Sequence, residues 1–194
     1  MDLGVMLTQE RIDTMVGVGA WPNKIILDYL DATLAQDPEL PAITDYNGET
    51  GQSTSISYGQ LDRLSRRLGL ALINYGIQAG DVVSVQLPNW WQFIAMHLAC
   101  ARIGAITNPL MPIFRERELT YMLGFAESKM MIAPDRFRGF EYKPMMEGIR
   151  GELPHLEHIF YIDGKGSDDF AAILLTEALE DSAGANETLA ARRP

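Results

Sequence analysis

DVVSVQLPNWWQFIAMHLACARIGAITNPLMPIFRERELTYML, residues 81–123, switches between a strand period and a helix period. Its run 82–87 is rich in β-branched residues and stops at Pro88, after which Asn89 is placed to start a helix. A helix over 90–102 follows, then a strand over 105–107 and a helix over 115–126. Downstream the alternation continues with a strand over 129–133, a helix over 142–149 and a strand over 158–162. Strands separated by helices pair in parallel through crossovers. The pattern therefore predicts an α/β fold, an open, mainly parallel, twisted sheet with helices on both faces.

Working outward, residues 1–22 show no sustained period, carry Gly17 and Gly19, and end at Trp21-Pro22, which reads as an extended or partly ordered lead-in. Asn23 is placed to cap a helix on which Ile26, Leu30 and Leu34 recur until Asp37-Pro38 stops them. Segments 41–46 and 54–58 are β-compatible and flank NGETGQS, so a hairpin with a loose loop is expected. Ser57 and Gln60 form a capping-box pattern ahead of Leu61, Leu64, Leu68 and Leu72, and Gly76 is placed to close that helix. Residues 184–194 have no core period and read as a linker or frayed end, leaving 23–183 as one α/β subdomain.

Composition narrows the function classes. The net charge of −10, from 16 basic and 26 acidic residues, opposes binding to nucleic acid or anionic lipid. One cysteine, Cys100, excludes an internal disulfide framework, and the first residues carry no secretory pattern, so a cytoplasmic location is expected. The most apolar run, 90–106, is broken by Gln92, His97 and Arg102, which suits a core helix and not a bilayer span.

Several motifs hint at chemistry and read better as structure. GVGAWP at 17–22 starts like a dinucleotide loop, yet follows no strand and ends in Pro22. DGKGSDD at 163–169 lies between strand and helix but lacks phosphate-loop spacing, and Ser167 or Asp168 is expected to cap the next helix. His97 and Cys100 share a helical face without a third residue to orient the imidazole. His155 and His158 are separated from a common helix by Pro154, so no metal site is assigned. Of Trp90 and Trp91, a quarter-turn apart, one ring is expected to pack inward and the other to cover surface.

The run 86–123, preceded by ISYGQLDRLSRRLGLALINYGIQAGDVVSV at 56–85, resembles the AMP-forming acyl-CoA synthetases of the adenylate-forming superfamily. Pro88-Asn89, Arg102-x-Gly104-Ala105 and Asn108-Pro109 carry the likeness, and LPNWWQF, NPLMPIFRERE, ESK and RFRGF are most similar to cyclohexanecarboxylate-CoA ligases. The resemblance spans about 23–194 and implies the first subdomain of a larger ligase. It implies that ATP, Mg and CoA serve the parent enzyme, and that the phosphate loop and catalytic groups lie outside this chain. The 194 residues alone are then expected to be catalytically incompetent, with no catalytic or metal residue of their own. The implied partners are the rest of the ligase and a small carboxylic acid, alicyclic such as cyclohexanecarboxylate, or else aryl or medium-chain. Arg102 matches an arginine that meets a CoA phosphate in some relatives, against the simpler reading of a cation favoured at a helix C-terminus. Self-association through 90–102 and 111–114 is also expected. The alternative is a free-standing, non-catalytic α/β binding module.

Overall fold

A computed structural model describes residues 7–194. The chain runs α1 (Gln9–Gly17), α2 (Ile26–Gln36), β1 (Pro41–Asn47), β2 (Gln52–Ser57), α3 (Tyr58–Asn74), β3 (Val82–Val85), α4 (Trp91–Ile103), β4 (Ile106–Pro109) and α5 (Glu116–Phe125). It continues through β5 (Met130–Pro134), β6 (Arg136–Phe137), β7 (Phe140–Glu141), α6 (Tyr142–Ile149), β8 (His158–Ile162), α7 (Phe170–Leu174) and α8 (Ala185–Ala190). The sheet is parallel, as the alternating sequence predicts, and its strand order is β4-β3-β5-β8.

Its strands β3, β5 and β8 are buried on both faces, with side chains that alternate between two cores, while the edge strand β4 is only partly covered. Val83, Val85, Met130, Ile132, Phe160 and Ile162 join one core with Leu68 and Leu72 of α3 and Ala95 and Ala99 of α4. Met131, Ala133, Ile159 and Tyr161 join the other with Leu119 and Leu123 of α5 and Met145 and Met146 of α6. A slip of one residue in register would exchange these two sets, so the packing fixes the pairing.

Local signals account for most element ends. Gln60 donates its N–H to Ser57 Oγ at 3.3 Å, and Ser57 N–H donates to Gln60 Oε1 at 2.9 Å, closing the expected capping box. Gly104 ends α4 at φ 71°, where an added Cβ would also press on Ala79. Asn89 does not cap α4; the Trp91 N–H is taken instead by Asp45 Oδ2 at 2.9 Å, from β1. The loop after β1 is tighter than expected, because the Asn47 side chain and carbonyl accept from Glu49 and Gly51.

Three expectations need correction. The lead-in is not extended throughout: Thr8 caps α1, a local helix with no buried residue that Gly17 and Gly19 end. Asn23 lies outside α2 at φ 50°, and the Asp28 carboxylate supplies the cap by accepting from Ile25 N–H at 2.8 Å. The stretch 184–194 is not frayed. Leu189 of α8 is buried against Gly69, and Arg193 reaches Asp28 at 2.6 Å and Asp31 at 2.7 Å. A six-residue helix anchored by two buried positions is too short to display a period. Among the described residues no helix is long and apolar enough to cross a membrane.

Candidate functional site

Ligands of open parallel sheets collect at the carboxyl ends of the strands, where successive crossovers diverge to opposite faces. In this order the divergence falls between β3 and β5, because α4 packs in one core and α6 in the other. The β6–β7 hairpin sits beside that point, and Phe137 meets the buried Trp90 edge-on at 5.8 Å. Trp91 stays half-buried, so the two rings divide as expected.

The hairpin turns through Arg138 at φ 51° and Gly139 at φ 76°, two consecutive left-handed residues as a tight two-residue loop requires. Arg138 is exposed, its guanidinium lies 5.2 Å from the Phe137 ring, and it has no ion pair among the described residues. Arg136 is also exposed and stands opposite Glu141 in the ladder. Glu116 and Glu141 line a shallow groove on the α5–α6 side of the same hairpin.

Beside the hairpin, the turn 111–114 is held from three directions. Gln86, at the end of β3 and wholly buried, donates from Nε2 to the carbonyls of Met111 at 3.0 Å and Phe114 at 3.1 Å. Arg115 Nη1 donates to the Pro112 and Phe114 carbonyls at 2.7 and 2.9 Å, and the Tyr142 hydroxyl donates to Pro112 at 2.7 Å. The Arg115 guanidinium then lies 3.9 Å from the centroid of Phe140, a cation–π contact that joins turn to hairpin. Burial pushes the Tyr142 phenol up, against the opposing pull of Arg115 and Arg138, so it remains a protonated donor at neutral pH.

Arg102 has a different setting. It is neither a solvated helix-end cation nor a free anion receptor. Nε donates to Ser65 Oγ at 2.9 Å and Nη2 to Asp62 Oδ1 at 2.5 Å, tying α4 to α3. Burial pushes its pKa down and the Asp62 charge raises it again. The side chain borders a cleft of about 340 Å³ that Arg66, Asn186 and Arg193 also line, and Arg66 is itself bound to Asn186.

The remaining motifs are structural. GVGAWP forms a turn in which Ala20 and Trp21 donate to the Met15 carbonyl. In DGKGSDD, Asp169 caps α7 through Ala172 N–H at 2.6 Å, whereas Asp168 pairs with Lys143 at 2.6 Å, which replaces the expected cap at Ser167 or Asp168. Burial pushes the Cys100 thiol up to about 12, and His97 Nδ1 pairs with Thr107 Oγ1 at 3.1 Å, so the two make no nucleophilic pair. His158 packs edge-on to Tyr75 at 5.0 Å while His155 is exposed. The sequence reading passed over Arg138 as a site residue. Its signal is Arg138-Gly139 set between Phe137 and Phe140, the pattern of a tight two-residue turn.

A family model described as AMP-binding enzyme matches residues 30–191. The medium-chain fatty-acid–CoA ligase of Escherichia coli (strain K12) is 30% identical over 164 residues, covering 84% of this chain and 28% of that protein. The 2,3-dihydroxybenzoate-AMP ligase of Bacillus subtilis (strain 168) is 35% identical over 150 residues, 77% of this chain and 27% of that one. Among solved structures, Mycobacterium smegmatis MbtA without ligand aligns at TM-score 0.71 and 25% identity, over 88% of this chain and 30% of the other. The chain thus spans under a third of the length of these relatives.

Proposed function

The chain belongs to the AMP-binding enzyme family, and from that premise we propose that it is the N-terminal part of an ATP-dependent, AMP-forming carboxylate-CoA ligase. The observation that carries this reading is the family match, which runs through both cores and all four strands of the parallel sheet. For the acid we propose an alicyclic carboxylate such as cyclohexanecarboxylate, a class intermediate between the fatty and aryl acids in the names of its relatives.

The strand-to-helix glycine segment, DGKGSDD, presents Asp168 already paired with Lys143, an acidic setting that opposes a phosphate of ATP. CoA fits better. A phosphate ester needs an accessible guanidinium, and two arginines compete for it. Arg102 would have to release Asp62 and Ser65 first, whereas Arg138 is exposed at the carboxyl end of the sheet with no ion pair among the described residues. Arg138 is therefore the preferred phosphate contact and Arg102 the alternative. The chain alone holds CoA's nucleotide and performs no chemistry.

Calorimetric titration tests this. Adenosine 3′,5′-bisphosphate should bind the 194-residue chain saturably and ATP·Mg should not, with Arg138→Ala weakening the former about tenfold, a loss typical of one charged contact. Equal binding of both nucleotides, or indifference to Arg138→Ala, would overturn the assignment. Joined to the rest of its ligase, the chain should support pyrophosphate release with cyclohexanecarboxylate above that with benzoate or octanoate.

A further inference from the structure

We infer that Gln86 is a positioning residue for Arg138, acting through the turn 111–114 and the Arg115–Phe140 contact; this rests on the reading that Arg138 meets a CoA phosphate. The argument starts from an imbalance in the Gln86 amide. Its nitrogen donates to two carbonyls of the turn, but Oε1 is buried with no partner among the described residues. Buried amide oxygens are nearly always paired, and a methionine would fill the same space without that cost. What Gln86 contributes is therefore its two N–H groups.

Those groups fix both ends of the turn. Met111 and Phe114 receive them, while Tyr142 and Arg115 hold the Pro112 carbonyl between. Arg115 follows Phe114 directly, and its guanidinium, while donating to the Pro112 and Phe114 carbonyls, also lies over the hairpin residue Phe140. Phe140 is the ladder partner of Phe137, and these two residues bracket the Arg138-Gly139 loop. Gln86 thus reaches the tip of the hairpin through one backbone turn and one cation–π contact. Freeing the turn would let Arg115 leave Phe140 and would spread Arg138 over more positions, which costs affinity through lost preorganisation.

Adenosine 3′,5′-bisphosphate is the probe, titrated into the chain and its variants well below their melting temperatures. Gln86→Met should raise Kd about fivefold, and the ionic-strength dependence of the remaining binding should flatten, because a displaced arginine no longer meets the phosphate. A purely structural effect would lower Tm and leave that salt dependence intact. Tyr142→Phe, which removes only the hydroxyl on Pro112, should change Kd and salt dependence in the same direction and carries the test if Gln86→Met fails to fold. A wild-type chain that ignores the probe, or Arg138→Ala without effect, would sink the underlying phosphate reading. Binding that depends on Arg138 but is unchanged in both Gln86→Met and Tyr142→Phe would sink the positioning role alone.

Discussion

The two faces of the sheet differ in how their charges and apolar groups are settled. On the α3–α4 face Arg102 is tied to Asp62 and Ser65, Arg67 to Glu180, and Arg193 to Asp28 and Asp31, all across helices distant in sequence. On the side of β4, α5 and the hairpin, Arg138 meets no carboxylate among the described residues, and Met111, Ile113, Tyr121 and Phe125 are exposed. A cation that is already paired holds helices together. One left free beside aromatic rings is available to something else.

The comparison breaks if the two arginines behave alike. Arg102→Ala leaves Asp62 without its partner and opens a gap between α3 and α4, so it should cost about 3 kcal/mol in denaturant unfolding. Arg138→Ala should stay within about 0.5 kcal/mol, as exposed substitutions do. Equal losses would mean that Arg138 is also structural and would remove the basis for assigning it a phosphate.

A second measurement sharpens the sealed face. Burial alone would raise the Glu180 carboxyl, but the Arg67 hydrogen bond and charge outweigh it and hold the carboxyl below its ordinary value. A carboxyl depressed in the folded state adds stability that is fully present above its unfolded pKa and is lost as pH falls through the folded one. Acidification below about pH 4.5 should therefore loosen α7 and the turn Leu179–Asp181 before the sheet opens, visible as earlier hydrogen exchange there. Glu180→Gln should cost about 1 kcal/mol at pH 7 and erase that acid step. A step that survives the substitution would have to come from another carboxylate, Asp28 first.

How much of this was legible depended on distance along the chain. The parallel sheet was readable because each strand and helix announces its own period, and the Ser57–Gln60 box because its members are three residues apart. The Asp45 cap on α4 and the Asp62 partner of Arg102 were not, since they lie 46 and 40 residues away and nothing local marks them. For the same reason Arg102 looked free in sequence. Arg138 was legible in principle, because its turn chemistry is contained within five residues, but it was read only as part of a likeness.

The smallest expected effect concerns the open side. Self-association was expected through 90–102 and 111–114; on α4 Ala95, Met96, Leu98 and Ala99 are covered, whereas Met111 and Ile113 of the turn stay exposed. A further exposed apolar patch lies on α5, where Tyr121 and Phe125 stack at 5.8 Å beside a groove lined by Val82, Ile106 and Met122. The edge strand β4 ends in Pro109, which lacks an N–H and discourages addition of a further strand, so association must rely on side chains. A patch built on two stacked rings falls well short of the ~800 Å² per partner of a stable interface, which places dimerisation near a Kd of about 10⁻⁴ M. Sedimentation should show a monomer at micromolar concentration and a growing dimer fraction at several hundred micromolar. Joint Tyr121→Ser and Phe125→Ser should remove the dimer while changing unfolding free energy by no more than about 0.5 kcal/mol each. A dimer that persists in the double variant would move the contact to Met111 and Ile113, next to the hairpin, where it would compete with the bisphosphate probe.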